Sequence, residues 1–183
     1  MEDSNMIPPN HLLLTGSPGV GKTTVLRRLA ERLGDRRVDG FLTEEIRSTA
    51  GRRLGFRAVT FEGEGWTISH VELAGSARVG RYGVDLHAVD RLGEVLERAL
   101  RDRVEFCLVD EIGKMECLSE RFVRSMKRLL DSGIPTIATV SARGAGLIAE
   151  VKQRPDSELW HVTVANRDRL VGQAAQWLAG RSV

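Results

Sequence analysis

The stretch Gly16-Ser17-Pro18-Gly19-Val20-Gly21-Lys22-Thr23 combines glycine, lysine and threonine at the spacing G-x-x-x-x-G-K-T. It follows the apolar run Leu12-Leu13-Leu14 and precedes a helical pattern, which is the strand, loop, helix context that a Walker A loop requires. Gly16, Gly19 and Gly21 let successive backbone N–H groups turn toward one anion, and the anion that suits such a cradle is a polyphosphate. The helix that follows adds its free N-terminal donors. Lys22 is then a catalytic candidate within reach of the β- and γ-phosphates, and the Thr23 hydroxyl is a ligand for Mg²⁺. Thr24 comes next, near the α-phosphate, so residues 16–24 as a set are expected to contact nucleotide. Taken alone, the motif is also compatible with a glycine-rich turn before an ordinary helix.

A second chemical signal lies far downstream. Leu108-Val109-Asp110-Glu111 is an apolar strand ending in two acids, the Walker B form. Asp110 is expected to hold Mg²⁺ directly or through water. Glu111 is left as the catalytic base or orienter for a water attacking the γ-phosphate. An isolated pair of this kind is often just solvent-facing, but a Walker A loop upstream supplies the phosphate and metal that the acids would serve.

Phosphoryl transfer needs further positive charge, and Arg81, Lys114 and Arg143 stand in loops expected at the same sheet edge. Each, read singly, is also an ordinary surface charge. Ser141 suits either a hydrogen bond to the γ-phosphate or a plain turn. Asn166-Arg167-Asp168 precedes the last helix, where it would sit beside the base or simply cap the helix through Asn166. Glu44 and Glu45 are candidates for the neighbourhood of the γ-phosphate or its metal. The four histidines share no ligand spacing, and Cys107 and Cys117 form no zinc or disulfide pattern, so buried reduced thiols are expected.

These groups need a scaffold. Val25, Leu26, Leu29, Ala30 and Leu33 fall on one helical face, with Gly34 as a stop. Residues 39–46 read as a strand, and residues 52–62 and 66–73 as a hairpin or short meander beside the main sheet. Residues 80–84 read as a loop, and Asp85 as the cap of a helix through Val89, Leu92, Leu96 and Leu100. Residues 104–109 form a buried strand and Ser119 begins a helix. Residues 136–140 form another strand, residues 146–152 a short helix, residues 159–164 a strand, and a last helix follows Asn166. Strands alternating with helices imply a largely parallel sheet covered on both faces, with the acids at the carboxyl ends of its strands, where ligands bind.

The chain has 183 residues, 42% of them apolar and 28% charged, enough for a core without staples. Its 27 basic and 25 acidic residues are spread throughout, so nucleic acid is not an expected partner. No apolar run approaches the ~20 residues of a membrane span. Residues 1–10 read as a polar extension without a secretory pattern, and residues 11–183 as one domain, so a cytoplasmic location is expected. No obligate protein partner is implied.

With these motifs in view, the chain resembles the small P-loop nucleoside-triphosphatases of thermophilic prokaryotes and the human cancer-related nucleoside-triphosphatase. The resemblance rests on GSPGVGKTT from Gly16, GFLTEEIR from Gly40, GRYGVD from Gly80, LVDEIGKME from Leu108 and VTVANRD from Val162. Cys117 stands where leucine would be expected. The resemblance implies a three-layer, RecA-like α/β fold with a mostly parallel sheet and an added hairpin or meander. It also implies slow, Mg²⁺-dependent hydrolysis of ATP, GTP, CTP and UTP to diphosphate and phosphate. The second nucleotide-contacting stretch would then be Leu108, Val109, Asp110, Glu111, Ile112, Gly113, Lys114 and Met115. Two other readings stay open: a small-molecule or nucleoside kinase, and a nucleotide-dependent binding switch.

Overall fold

A computed structural model describes residues 9–181. Alternation of side chains across a strand explains its layers. In β1 (His11–Thr15), Leu13 faces one core while Leu12 and Leu14 face the other. In β7 (Phe106–Ile112), Cys107 and Val109 join the first core, Phe106 and Leu108 the second. Strands that are apolar on both sides must be covered on both sides. Helices α2 (Leu86–Asp102), α3 (Glu120–Asp131) and α4 (Leu147–Gln153) supply the first core, and α1 (Lys22–Leu33) and α5 (Arg167–Ala179) the second. The expected three-layer architecture follows.

The remaining strands are β2 (Val38–Arg47), β3 (Arg53–Thr60), β4 (Gly65–His70), β5 (Arg78–Val79), β6 (Tyr82–Val84), β8 (Thr136–Val140) and β9 (Ser157–His161). All nine form one sheet in the order β5-β6-β4-β3-β2-β7-β8-β1-β9. The five strands from β2 to β9 in that order are parallel, and the rest join antiparallel through β2–β3. The expected meander is therefore a continuation of the main sheet rather than an adjunct to it. Residues 80–84, read as a loop, belong to the β5–β6 hairpin, because Val79 pairs with Tyr82 across Gly80-Arg81. The strand read as ending at Val109 runs through the acids to Ile112, with a shift in its β8 pairing between Val109 and Ile112 and a cis Asp110–Glu111 peptide.

The helix starts match the caps. Asp85 accepts from the Ala88 amide at 3.1 Å, and Ser119 from the Phe122 amide at 2.9 Å. Residues 1–8 of the expected extension lie outside the described residues. Asn10 is tied to the body, its Nδ2 donating to the Gly133 carbonyl at 2.7 Å. Among the described residues no helix is long and apolar enough to cross a membrane.

Strand β2 carries the far wall of the site, and two contacts hold it. Arg98 of α2 grips Asp39 with two hydrogen bonds of 2.8 Å. Gly40 has φ +125°, and a Cβ there would lie 2.0 Å from the Leu108 carbonyl oxygen of β7. The close approach of β2 to β7 thus requires glycine at this point. Gly40→Ala is expected to destabilise the fold through overpacking and backbone strain, each of about 1–3 kcal/mol, measurable by chemical denaturation.

Candidate active site

The parallel strands end in a cleft of about 720 Å³. Its walls include Lys22 and Thr23 from the glycine loop, Asp110 and Glu111 from β7, and Ser141 after β8. The structure thus brings together the two motifs that are far apart in the chain. The strand order explains how: only β8 separates the loop strand β1 from the acidic strand β7.

At the loop, Gly21 has φ +105°, a conformation suited to glycine, and α1 begins at Lys22. A Cβ at Gly21 would lie 2.8 Å from Arg167 Cδ, because the Arg167 side chain crosses the loop and donates to the Val20 carbonyl at 3.4 Å. Lys22 Nζ donates to the Gly16 and Ser17 carbonyls at 2.9 and 3.3 Å. The ammonium is held over the loop by the loop's own backbone. Pro18, Gly19, Gly21, Thr23 and Thr24 also line the cleft.

Asp110 is 2% exposed. One carboxylate oxygen accepts from the backbone N–H and hydroxyl of Thr43 at 3.2 and 2.9 Å, and the other from the Thr139 hydroxyl at 2.7 Å. The strands on either side of β7, β2 and β8, therefore supply three donors that stabilise a buried negative charge. Neither threonine is identifiable as a partner without the strand order. Glu111 accepts from the Ser141 hydroxyl at 2.7 Å. Lys152 in turn donates to the Ser141 and Ala142 carbonyls at 2.6 and 3.0 Å. Ser141 is thus a holder of Glu111, a role the sequence reading did not include.

Glu116, also outside that reading, is a buried acid of the cleft wall, 5% exposed. A Cβ at Gly113 would lie 2.8 Å from Glu116 Oε2, 3.2 Å from Ser141 Oγ and 3.4 Å from Glu111 Cδ. Two carboxyls and a hydroxyl therefore crowd one glycine. Burial, followed by the negative charge of Glu111, pushes Glu116 from its ordinary 4.5 up to about 8. Between those values the folded chain holds a proton that the unfolded chain has shed, so this contribution to stability fades as pH rises from 4.5 to 8. Glu116→Gln is expected to raise the thermal midpoint of the nucleotide-free protein progressively from pH 5 to pH 8, by the equivalent of a few kcal/mol. Parallel melting curves of the two proteins across that range check it.

The other candidates separate into those in the cleft and those outside it. Lys114 and Met115 line it, with Lys114 exposed. Glu44 and Glu45 line it too, but Glu44 pairs with Arg27 at 3.1 Å and Glu45 pairs with both Arg47 and Arg53. Arg81 is absent from the cleft wall, because its guanidinium donates to the Arg53 carbonyl at 2.6 Å and the Tyr82 hydroxyl at 3.0 Å on the antiparallel edge. Arg143 is exposed and also lies off the wall. Leu108, Val109 and Ile112 are fully buried in the two cores, so their side chains position the acids rather than face a ligand. Asn166 precedes α5, yet its side chain does not bond the helix amides. It accepts from the Thr163 N–H and donates to the His161 carbonyl, both at 2.8 Å, which closes the β9–α5 turn. Burial pushes the Cys117 thiol up to about 12, and Cys107, fully buried, is also shifted upward. Neither thiol is set up as a nucleophile.

The donor set suits a hard cation. Among the described residues no three His, Cys, Asp or Glu side chains converge as a metal cage. Thr23 and Asp110 line one cleft and each carries an oxygen donor, a set that could hold Mg²⁺ through one or two side chains together with substrate phosphates.

Comparison with known proteins agrees with this geometry. A family model described as NTPase matches residues 11–175. The nucleoside-triphosphatase THEP1 of Thermotoga maritima is 36% identical over 163 residues, covering 88% of this chain and 91% of that protein. The human cancer-related nucleoside-triphosphatase is 37% identical over 176 residues, covering 88% and 92%. The crystal structure of THEP1 from Aquifex aeolicus superposes with a TM-score of 0.83 at 35% identity, over 92% of this chain and 98% of that one. The solution structure of the human protein gives 0.77 at 34% identity, over 93% and 97%. With the Walker A loop and the acidic pair meeting in one cleft of a RecA-like sheet, the chain belongs to the NTPase family.

Proposed function

We propose that the chain hydrolyses nucleoside 5'-triphosphates to the diphosphate and phosphate, with Mg²⁺, slowly and with little discrimination among bases. The observation that carries this reading is the convergence of Lys22, Thr23, Asp110 and Glu111 on one cleft. The loop amides and Lys22 hold the β- and γ-phosphates, and Thr23 and Asp110 hold the cation. Bound Mg²⁺ neutralises charge on the phosphate oxygens. Glu111, oriented by Ser141, positions a water in line with the γ-phosphorus and takes its proton.

The breadth and the slowness have separate supports. The Asn166 side chain is consumed by the β9–α5 turn and Arg167 lies across the loop, so neither is committed to a base edge. The cleft arginines Arg27, Arg47 and Arg53 are all paired with glutamates. Lys22 and Lys114 are the cations on the cleft wall outside ion pairs among the described residues, and an arginine finger is worth about 10³–10⁵ in rate where present. Phosphate release from ATP, GTP, CTP and UTP should agree within about tenfold. It should fall to background without Mg²⁺. A single preferred base overturns the breadth, and release that ignores Mg²⁺ overturns the metal assignment.

A further inference from the structure

Hydrolysis uses one end of the cleft. The other end is built by the antiparallel strands, with Arg47 at the end of β2, Arg53 and Phe56 on β3, Ile68 on β4 and Val79 on β5. The whole cleft, about 720 Å³, falls within the roughly 300–1,000 Å³ of sites that enclose an entire small molecule. The phosphates and cation of the reading above take the end lined by the glycine loop and the acids, and the end lined by Arg53 and Phe56 lies outside that share.

Three features say what would fit the far end. Arg47 and Arg53 share the single carboxylate of Glu45, so the cluster keeps one positive charge. Phe56 is a fixed aromatic surface, with the Arg53 guanidinium 5.4 Å from its centroid on one side and Tyr82 edge-on at 5.4 Å. Ile68 and Val79 add apolar wall. An aromatic or cyclic apolar body carrying one acid group complements a ring beside a surplus guanidinium. Position says how it would lie. Strands β7, β2 and β3 are consecutive, and Phe56 lies opposite Glu45, two positions beyond the level of Glu111. At ~4.8 Å per strand and ~3.3 Å per residue the two backbones are about 12 Å apart, a gap that the side chains and one substituted ring can span. This end lies beyond the acids as seen from the loop strand β1, so a ring there would reach the γ-phosphate that the hydrolysis reading above places between Lys22 and the acidic pair.

We propose that the far end of the cleft is an acceptor subsite, and that the chain transfers the γ-phosphoryl group to the hydroxyl of a small ring-bearing acid. The proposal rests on the triphosphate reading above and extends it to a second substrate. The acceptor oxygen bonds to the γ-phosphorus as the bond from that phosphorus to the bridging β–γ oxygen breaks. The bridging oxygen keeps the electron pair and leaves on the nucleoside diphosphate, while the acceptor proton passes to the Glu111 carboxylate. The products are a phosphomonoester and the diphosphate. Hydrolysis is the same step with water in place of the acceptor.

The test uses the full chain, Mg²⁺ and γ-labelled ATP, with 4-(hydroxymethyl)benzoate as probe. Benzyl alcohol, which lacks the acid, and glycerol, which lacks ring and acid, are the controls. Labelled ester and labelled free phosphate are read from the same reaction. The expected result is ester from the probe at tenfold or more above either control. Arg53→Ala, and separately Phe56→Ala, should lower the ratio of ester to free phosphate at least tenfold. Phosphate release with no ester, or equal ester from all three alcohols, overturns the acceptor subsite and leaves hydrolysis standing. If neither phosphate nor ester forms, the triphosphate reading fails and the subsite with it.

Discussion

Replacing Glu111 by Gln is expected to lower triphosphate turnover by about 10²–10⁴-fold while nucleotide affinity stays within a few-fold. The amide has nearly the same shape as the carboxylate and its oxygen can still accept from Ser141 Oγ, so the local geometry of β7 is kept. What disappears is the ability to take a proton from the attacking water. Affinity resides in the loop amides, Lys22 and the cation, which the substitution leaves in place. Single-turnover phosphate release, paired with titration of a fluorescent nucleotide, separates the two effects. Turnover within threefold of the parent would remove Glu111 from the reaction. A parallel loss of affinity would instead move it into substrate binding.

Asp110→Asn is expected to lower Mg²⁺-supported turnover at least ~10²-fold and to raise the Mg²⁺ needed for half-saturation by about 10–100-fold. One formal charge is lost at the site proposed to hold the cation. The fold should survive the exchange, because the Thr43 and Thr139 hydroxyls that donate to the carboxylate can turn to accept from an amide. Asp110→Ala provides the contrast. It leaves three buried donors without their acceptor, at about 1–3 kcal/mol each, so its thermal midpoint should fall well below that of the Asn variant. Activity measured against Mg²⁺ concentration, together with melting curves of both variants, distinguishes a metal ligand from a structural acid. Equal Mg²⁺ dependence in the parent and the Asn variant would mean that Asp110 only holds the sheet together.

The roles of the neighbouring side chains show where sequence reasoning succeeded and where it could not. Asp85 and Ser119 were legible as caps because a cap and its amide lie three residues apart. Thr43 and Thr139 were not legible as partners of Asp110. They lie 67 and 29 positions from it, and only the β2-β7-β8 order brings them to its two oxygens. Ser141 was read as facing phosphate or a turn, whereas the register shift in β7 and the Lys152 tether bring it to Glu111. Arg81 and Lys114 are both cations in loops near motifs, and in the sequence only the closeness of Lys114 to Glu111 separates them. The β5–β6 hairpin ties Arg81 to Arg53 and Tyr82, and Lys114 is left on the cleft wall.

What the amino-acid order determined by itself was everything encoded in short contiguous windows: the glycine loop, the acidic strand end, the helix faces and their caps. Backbone dihedrals, capping and side-chain periodicity act over a few residues, so composition and spacing suffice to reveal them. Only the tertiary structure decided which residues share the cleft, how Asp110 and Glu111 are held, and that the antiparallel strands furnish its far wall. Those facts depend on strand order and on contacts between residues tens of positions apart, which no local pattern encodes.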